Sequence, residues 1–359
     1  MNEQTFIIRV DSSLEIGTGH LARCLALADH LAKIKAKVVF ICRNHHGSTH
    51  ELIPKKNFRL HLLNGKENQA TSANPSDWLG CSQLQDASES SLYIDMYQKP
   101  NVIVDHYGLD YIWESNIKCK SMTVIDDLAN RHHQCSLLID QSLKNTKSNY
   151  KKLVDGSFDF IGGNKVILRE EFSIKEAWKL SENGMVLICM GGADPQSYTK
   201  KILKNIILNH RKFSGHQDIS EIKVIVGSSY CDYEELITLA DSTTLKVSII
   251  FAPDNISKLM LSSDLCILSC GTMILEACAL GVPSIGIAVA ENQKSTAEFL
   301  AKAGAIEFYD FKNNKDINMY AGIHGLINNP ERLSLYSKKL KTMVSSTAAK
   351  TIARRLCES

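Results

Sequence analysis

Three observations predict an α/β protein built from two doubly wound domains. The stretch Ile7–Leu31, IIRVDSSLEIGTGHLARCLALADHL, runs from an apolar strand through a glycine-containing loop into an amphipathic helix. The same order returns at Val186–Cys189, which leads into Met190-Gly191-Gly192-Ala193-Asp194-Pro195 and then a helical pattern. Third, at 359 residues the chain exceeds the usual size of one domain. Strands alternating with helices in both halves imply parallel sheets covered on both faces.

In the first half Ile7, Ile8 and Val10 read as a buried strand closed by Asp11. The helix after it carries Leu21, Cys24, Leu25, Ala28 and Leu31 at three-and-four spacing. Strands are expected at Phe6–Val10, Val38–Cys42, Val102–Asp105, Met122–Ile125 and Leu137–Ile139, all short and apolar as doubly covered parallel strands tend to be. Asn64–Pro100 interrupts the alternation around Asp77-Trp78-Leu79-Gly80, and reads equally as a flexible insertion or an ordered substrate flap. The second half is expected to place strands at Val186–Cys189, Ile222–Val226, Val247–Phe251, Leu265–Ser269 and Ser284–Ile287. A hinge near Ile161–Phe172 divides domains at 1–165 and 166–335, with a helical tail at 336–359.

Composition narrows the class. Hydrophobic content of 44%, charged content of 22% and a net charge of +2 suit a globular enzyme and give no electrostatic ground for nucleic-acid binding. No apolar run reaches the ~18–20 residues of a membrane span. MNEQ leads directly into a strand, so no signal peptide is expected. The 11 cysteines lie mostly in apolar segments without finger spacing, which favours buried reduced thiols in a cytoplasmic protein over a zinc site.

Four loops can carry chemistry. In Gly17-Thr18-Gly19-His20, the glycines let the backbone approach a ligand and the helix N-terminus offers N–H groups to an anion. His20 there is either a helix-capping residue or a general base, since the positive end of the dipole disfavours imidazolium. Asp11 either orients its ring or caps the turn. Gly191 and Gly192 form either a pyrophosphate cradle at a helix start or a plain turn. Gly271-Thr272 opens a helix after a buried strand, and its amides and hydroxyl suit phosphate oxygens. Glu276, one turn on, is either solvent-facing or a two-oxygen acceptor for a ribose diol. Asn292 and Gln293 open the next helix as a polar cap or as cleft residues. In Val104-Asp105-His106-Tyr107-Gly108, Tyr107 is either a surface residue or a contact for sugar hydroxyls and N-acyl groups. Asp126-Asp127 reads as a strand-end turn, with no third ligand nearby for a metal.

Phe251 to Ile306, FAPDN…SDL…GTMILEACALGVPSIGIAVAENQKSTAEFLAKAGAI, resembles the nucleotide-binding half of MurG-like glycosyltransferases. With DSSLEIGTGHLARCLALA, DHYGLD, DWLGCSQLQDA, LREEF and MGGADP, the chain from about Ile7 to Gly304 resembles a narrower group. That group is the PseG family, UDP-2,4-diacetamido-2,4,6-trideoxy-β-L-altropyranose hydrolases of pseudaminic acid biosynthesis. The resemblance implies a GT-B fold, two Rossmann-like domains facing across a cleft, with UDP held mainly by the second. It implies hydrolysis at the anomeric C–O bond with inversion, without metal or cofactor. It makes His20 the catalytic base and Glu276 the ribose ligand, and it sets Asn292 and Tyr107 near the sugar. Asp11, Gly17, Gly19, Gly191, Gly192, Gly271, Thr272 and Gln293 complete the expected substrate contacts. The expected partners are a UDP-sugar and product UDP, with no nucleic acid, no stable membrane association and a monomeric state. A MurG-like transferase, a UDP-sugar 2-epimerase and a non-catalytic nucleotide-sugar binder are the alternatives.

Overall fold

The computed structural model describes residues 4–65, 75–174, 176–181, 183–192, 194–210, 219–311 and 317–358. The chain forms two compact units, one running to Arg169 and resuming at Thr347, the other spanning Glu170–Ser346.

The first unit holds β1 (Thr5–Val10), β2 (Lys37–Arg43), β3 (Arg59–Leu63), β4 (Asn101–Asp105), β5 (Ser121–Ile125), β6 (Leu137–Ile139) and β7 (Asp159–Ile161). They make one sheet in the order β3-β2-β1-β4-β5-β6-β7. Every pairing in it is parallel. The second unit holds β8 (Met185–Cys189), β9 (Glu221–Val226), β10 (Val247–Phe251), β11 (Leu265–Ser269), β12 (Ser284–Ile287) and β13 (Glu307–Tyr309). Its order is β10-β9-β8-β11-β12-β13, again all parallel. In each sheet the strand order reverses beside the first strand, between β1 and β4 and between β8 and β11. Ligands of doubly wound sheets bind at the carboxyl ends of strands at such points.

Side chains alternate across a strand, and β1 is covered on both faces. Phe6, Ile8 and Val10 pack with Leu21, Cys24, Leu25, Ala28 and Leu31 of the helix Gly19–Lys33. Ile7 packs on the other face with Val102, Val104 and Trp113. Arg9 shares the face of Ile7 and is fully buried. Its Nε and Nη2 donate to Asp86 (3.0 and 2.7 Å) and its Nη2 also to Asp11 (2.9 Å). Arg43 of β2 donates to the same Asp86 (2.7 Å), as does the Trp113 indole (2.9 Å).

Asp86 explains why Asn64–Pro100 read as an interruption. The segment contains a 3₁₀ turn, Pro75–Leu79, and a regular crossover helix, Gln83–Ile94, capped by Ser82. The buried positions of that helix are Asp86, Ala87, Ser90 and Ile94. Two polar residues at core positions break the apolar periodicity; the arginines satisfy Asp86, and Ser90 donates to Asp86 (3.2 Å). Residues 66–74 of the expected flap lie outside the described residues. The strands absent from the sequence reading, β3, β7 and β13, are short and largely half-exposed, so they lack the continuous apolar run of the others.

The expected tail at 336–359 is two different things. Pro330–Met343 is a helix of the second unit, with a proline in its first turn and Asn329 as its cap. Ala348–Glu358 belongs to the first unit, where Ala349, Ile352, Ala353 and Leu356 complete the core under Gly19–Lys33. Their three-and-four spacing forms one apolar stripe. Among the described residues no helix is long and apolar enough to cross a membrane.

Removing one member of a buried charge network typically costs about 3–5 kcal/mol, because the partner is left unpaired. Asp86→Ala, which leaves Arg9 only Asp11 and Arg43 only Glu89 and the Asn64 carbonyl, should therefore lower the urea midpoint of unfolding substantially; an unchanged midpoint would show that the network contributes little. A second test uses His133, buried with Nδ1 2.7 Å from Glu114. Burial alone would lower its imidazole, but the facing Asp126 and Glu114 carboxylates outweigh this and hold it at about 9. The charged ring then contributes stability that is complete below about pH 6.5 and lost as pH rises through about 9. Melting temperature should fall across that window, and His133→Gln should flatten the decline.

Candidate active site

At the carboxyl edge of the first sheet, β1 leaves through a loop that turns at Gly17 (φ 74°), whose N–H donates to the Ser13 carbonyl (2.9 Å). Ser13 Oγ accepts from the Glu15 and Ile16 amides, so the loop is braced from within. The helix then begins at Gly19 with Thr18 as N-cap, and no side chain caps it. His20 lies in the uncapped first turn and is almost buried, its side chain 10% exposed.

Its Nδ1 is 2.6 Å from Asp105 Oδ1 at the end of β4. Arg23, one turn along the same helix, clamps Asp105 with Nε on Oδ2 and Nη2 on Oδ1, both at 2.6 Å. Arg23 Nη1 continues to Asp127 (3.1 Å), which also accepts from the Tyr107 hydroxyl. Burial would raise Asp105, but Arg23 and then His20 outweigh it and hold the carboxyl far below its ordinary range. An ionised Asp105 can only accept, so a proton on Nδ1 satisfies it, and in that tautomer Nε2 is left as the acceptor; Arg23 Nη2 also lies 3.2 Å from Nδ1. The Tyr107 ring meets His20 edge-on, centroids 4.5 Å apart, and burial pushes its phenol up.

Asp11 is not the residue that orients His20. It follows Arg9 on the face of β1 opposite the helix, where it accepts from the Arg43 amide (2.6 Å) and lies 3.3 Å from both His45 and His106. Side-chain alternation gives the orienting role to Asp105, which shares the helix-facing side of β4 with Ile103. Asp105, Arg23 and Asp127 were missed as site residues. Parity along Val102–Asp105 is the signal that finds the first. Tyr107 is buried rather than at the surface, and its hydroxyl proton is committed to Asp127.

In the second unit Gly191 follows β8 at φ 102°. A Cβ there would stand 3.8 Å from Ser269 Oγ at the end of β11. Gly192 packs so closely on Gly227 that a Cβ on the latter would fall 2.1 Å from the Gly192 carbonyl oxygen. The expected helix start at these glycines is displaced. That helix begins at Tyr198, and Asp194 accepts from the Tyr198 and Thr199 amides (2.9 and 2.7 Å). Any anion at Gly191-Gly192 therefore meets loop amides, not that helix end.

Gly271 is the N-cap of Thr272–Leu280, a helix without a side-chain cap. Glu276 within it is buried, which removes the solvent-facing alternative. Glu291–Lys302 also starts uncapped, with Asn292 exposed in its first turn. Gln293 accepts from the Val289 amide (3.2 Å), and its side-chain nitrogen lies 3.3 Å from where a Gly271 Cβ would be. The loops after β8, β11 and β12 thus meet around Gly191, Ser269, Gly271 and Gln293. Elsewhere Ser82, Asp110, Asn255, Asn318 and Asn329 supply side-chain caps. The helices bearing His20, Glu276 and Asn292 keep their first N–H groups free of such caps, as do Leu52–Lys55 and Tyr233–Asp241. Among the described residues no cluster of three metal-ligating side chains occurs. Asp126 instead accepts from the Ala129 amide (3.0 Å) and pairs with Arg131.

Residues 168–302 match the lipid-A-disaccharide synthetase family. Over 307 residues, 83% of this chain and 96% of the relative, the sequence is 27% identical to the UDP-2,4-diacetamido-2,4,6-trideoxy-beta-L-altropyranose hydrolase of Campylobacter jejuni. Over 302 residues, 80% of this chain, it is 27% identical to an uncharacterized protein of Methanocaldococcus jannaschii, 56% of whose length is matched. The fold resembles MurG of Acinetobacter baumannii with a TM-score of 0.66, at 12% identity over 99% of this chain and 100% of that one. It resembles HepE of Anabaena, solved with UDP and glucose, with a TM-score of 0.61, at 12% identity and the same coverage. Together with the two parallel sheets, the structural likenesses show an α/β fold of the GT-B type.

Proposed function

We propose that the chain hydrolyses a UDP-sugar of the 2,4-diacetamido-2,4,6-trideoxy-β-L-altropyranose type, breaking the anomeric C–O bond with inversion, and that His20 is its general base. The single observation that carries this reading is the His20–Asp105 pair. A ring held by a buried carboxylate at Nδ1 presents Nε2 as a proton acceptor. The Campylobacter relative, whose name describes this hydrolysis, supports the choice of substrate.

Water loses a proton to Nε2 as its oxygen bonds to C1. The bond from C1 to the β-phosphate oxygen breaks and the electron pair leaves with UDP. The imidazolium formed at His20 faces Asp105, already ionised, so no buried charge is created unpaired. The leaving diphosphate needs donors rather than a proton. The uncapped amides at Gly271-Thr272 and the loop amides of Gly191-Gly192 are assigned that role, with Gln293, bonded to the Val289 amide, beside Gly271, and Asn292 at the sugar. Glu276 is assigned to the ribose hydroxyls.

The purified chain, given this UDP-sugar without an acceptor, should release UDP and a free sugar of inverted anomeric configuration by NMR. Turnover only after an acceptor is added would make it a transferase. His20→Asn should leave UDP affinity intact and lower kcat about 10²–10⁴-fold, the usual worth of general-base help; near-normal turnover removes His20 from the mechanism. Glu276→Ala should weaken UDP binding about 10- to 100-fold, as expected for lost hydrogen bonds to a charged group. Unchanged affinity in calorimetry would take the ribose away from Glu276.

A further inference from the structure

Beyond Tyr107 from His20 stands an aromatic group that the hydrolytic step does not use. Trp78 sits in the 3₁₀ turn Pro75–Leu79, anchored by Leu79, which is buried in the core with Ile7 and Trp113. Its ring lies 6.0 Å from that of Tyr107 at 36°, and Tyr107 in turn meets His20 at 4.5 Å. Tyr107 is buried and braced from another side by Arg131, whose guanidinium lies 5.5 Å from its ring centre. Trp78 is only half-buried. Of the rings His20, Tyr107 and Trp78, it is the most exposed.

We propose that Trp78 is the specificity-determining wall of the sugar subsite, selecting sugars that carry methyl groups, as 6-deoxy and N-acetyl substituents do, over hydroxyl-rich hexoses. The inference rests on the reading of His20 as the base at C1. An indole face offers apolar area and no hydrogen-bond partner. A methyl group set against it loses nothing, whereas a hydroxyl loses its water without replacement. One methyl in such a contact is worth roughly 10- to 200-fold in discrimination. The turn places the ring for this, since Leu79 points inward and its neighbour must then point elsewhere.

The test measures binding in the His20→Asn background, where turnover does not interfere. Dissociation constants are taken for UDP, UDP-N-acetylglucosamine and the UDP-diacetamido-trideoxy sugar, with Trp78 intact, as Trp78→Ala and as Trp78→Phe. Trp78→Ala should lower the preference for the trideoxy sugar over UDP-N-acetylglucosamine by about tenfold or more, with UDP affinity unchanged, and Trp78→Phe should keep most of it. Trp113 and Trp178 are buried, so quenching by the trideoxy sugar nucleotide should vanish in Trp78→Phe. An unchanged preference in a folded Trp78→Ala variant overturns the proposal. A preference lost in Trp78→Ala, with no hydrolysis by the wild-type chain, would uphold the subsite and overturn the hydrolase reading instead.

Discussion

The first unit depends on one constraint: β1 and β4 are covered on both faces, so successive side chains enter different cores. Charged residues at adjacent positions cannot share partners, and each face must neutralise its own. On one face Arg9 and Arg43 are matched by Asp11 and Asp86. On the other, Asp105 is matched by Arg23 and His20. Burial of this kind is rarely a large net source of stability, but breaking it is costly, so such networks hold a geometry more than they deepen the fold. Here the geometry held is that of the loop between β1 and the helix that begins at Gly19.

That division has a functional consequence. The carboxylate that orients His20 is also clamped bidentately by an arginine, so its charge is balanced before any proton moves. The histidine is thus fixed in direction by a partner that cannot drift. Tyr107 closes the side of the ring and passes its own hydroxyl to Asp127, which Arg23 also holds. Few of these groups can rearrange alone. The second unit is arranged by different means: glycines bring three loops together, and the helices Thr272–Leu280 and Glu291–Lys302 start without side-chain caps.

Legibility in the sequence followed burial. The central strands, Leu265–Ser269 and Leu137–Ile139 among them, are continuous apolar runs and were readable residue by residue. The half-exposed strands β3, β7 and β13 were not, because their composition resembles that of loops. The helix Gln83–Ile94 was hidden by Asp86 and Ser90, polar residues at core positions: arginines from β1 and β2 reach Asp86, and Ser90 donates to it. Among candidate site residues, His20, Gly191, Gly271 and Gln293 were visible from their place after strands. Asp105 was in view but passed over in favour of Asp11, since nearness along the chain says nothing about which face a side chain enters.

By itself the sequence determined the α/β class, the two-part alternation, and the loops at strand ends where glycines and His20 stand. These are local properties of periodicity and backbone freedom, and they survive without knowledge of contacts. Only the tertiary structure decided which carboxylate holds His20, that Glu276 is buried, that Asp194 spends itself on a helix cap, and that the last helix returns to the first unit. Each of those depends on pairing between residues far apart in the chain, and such pairing exists only once the sheet order and its register are formed.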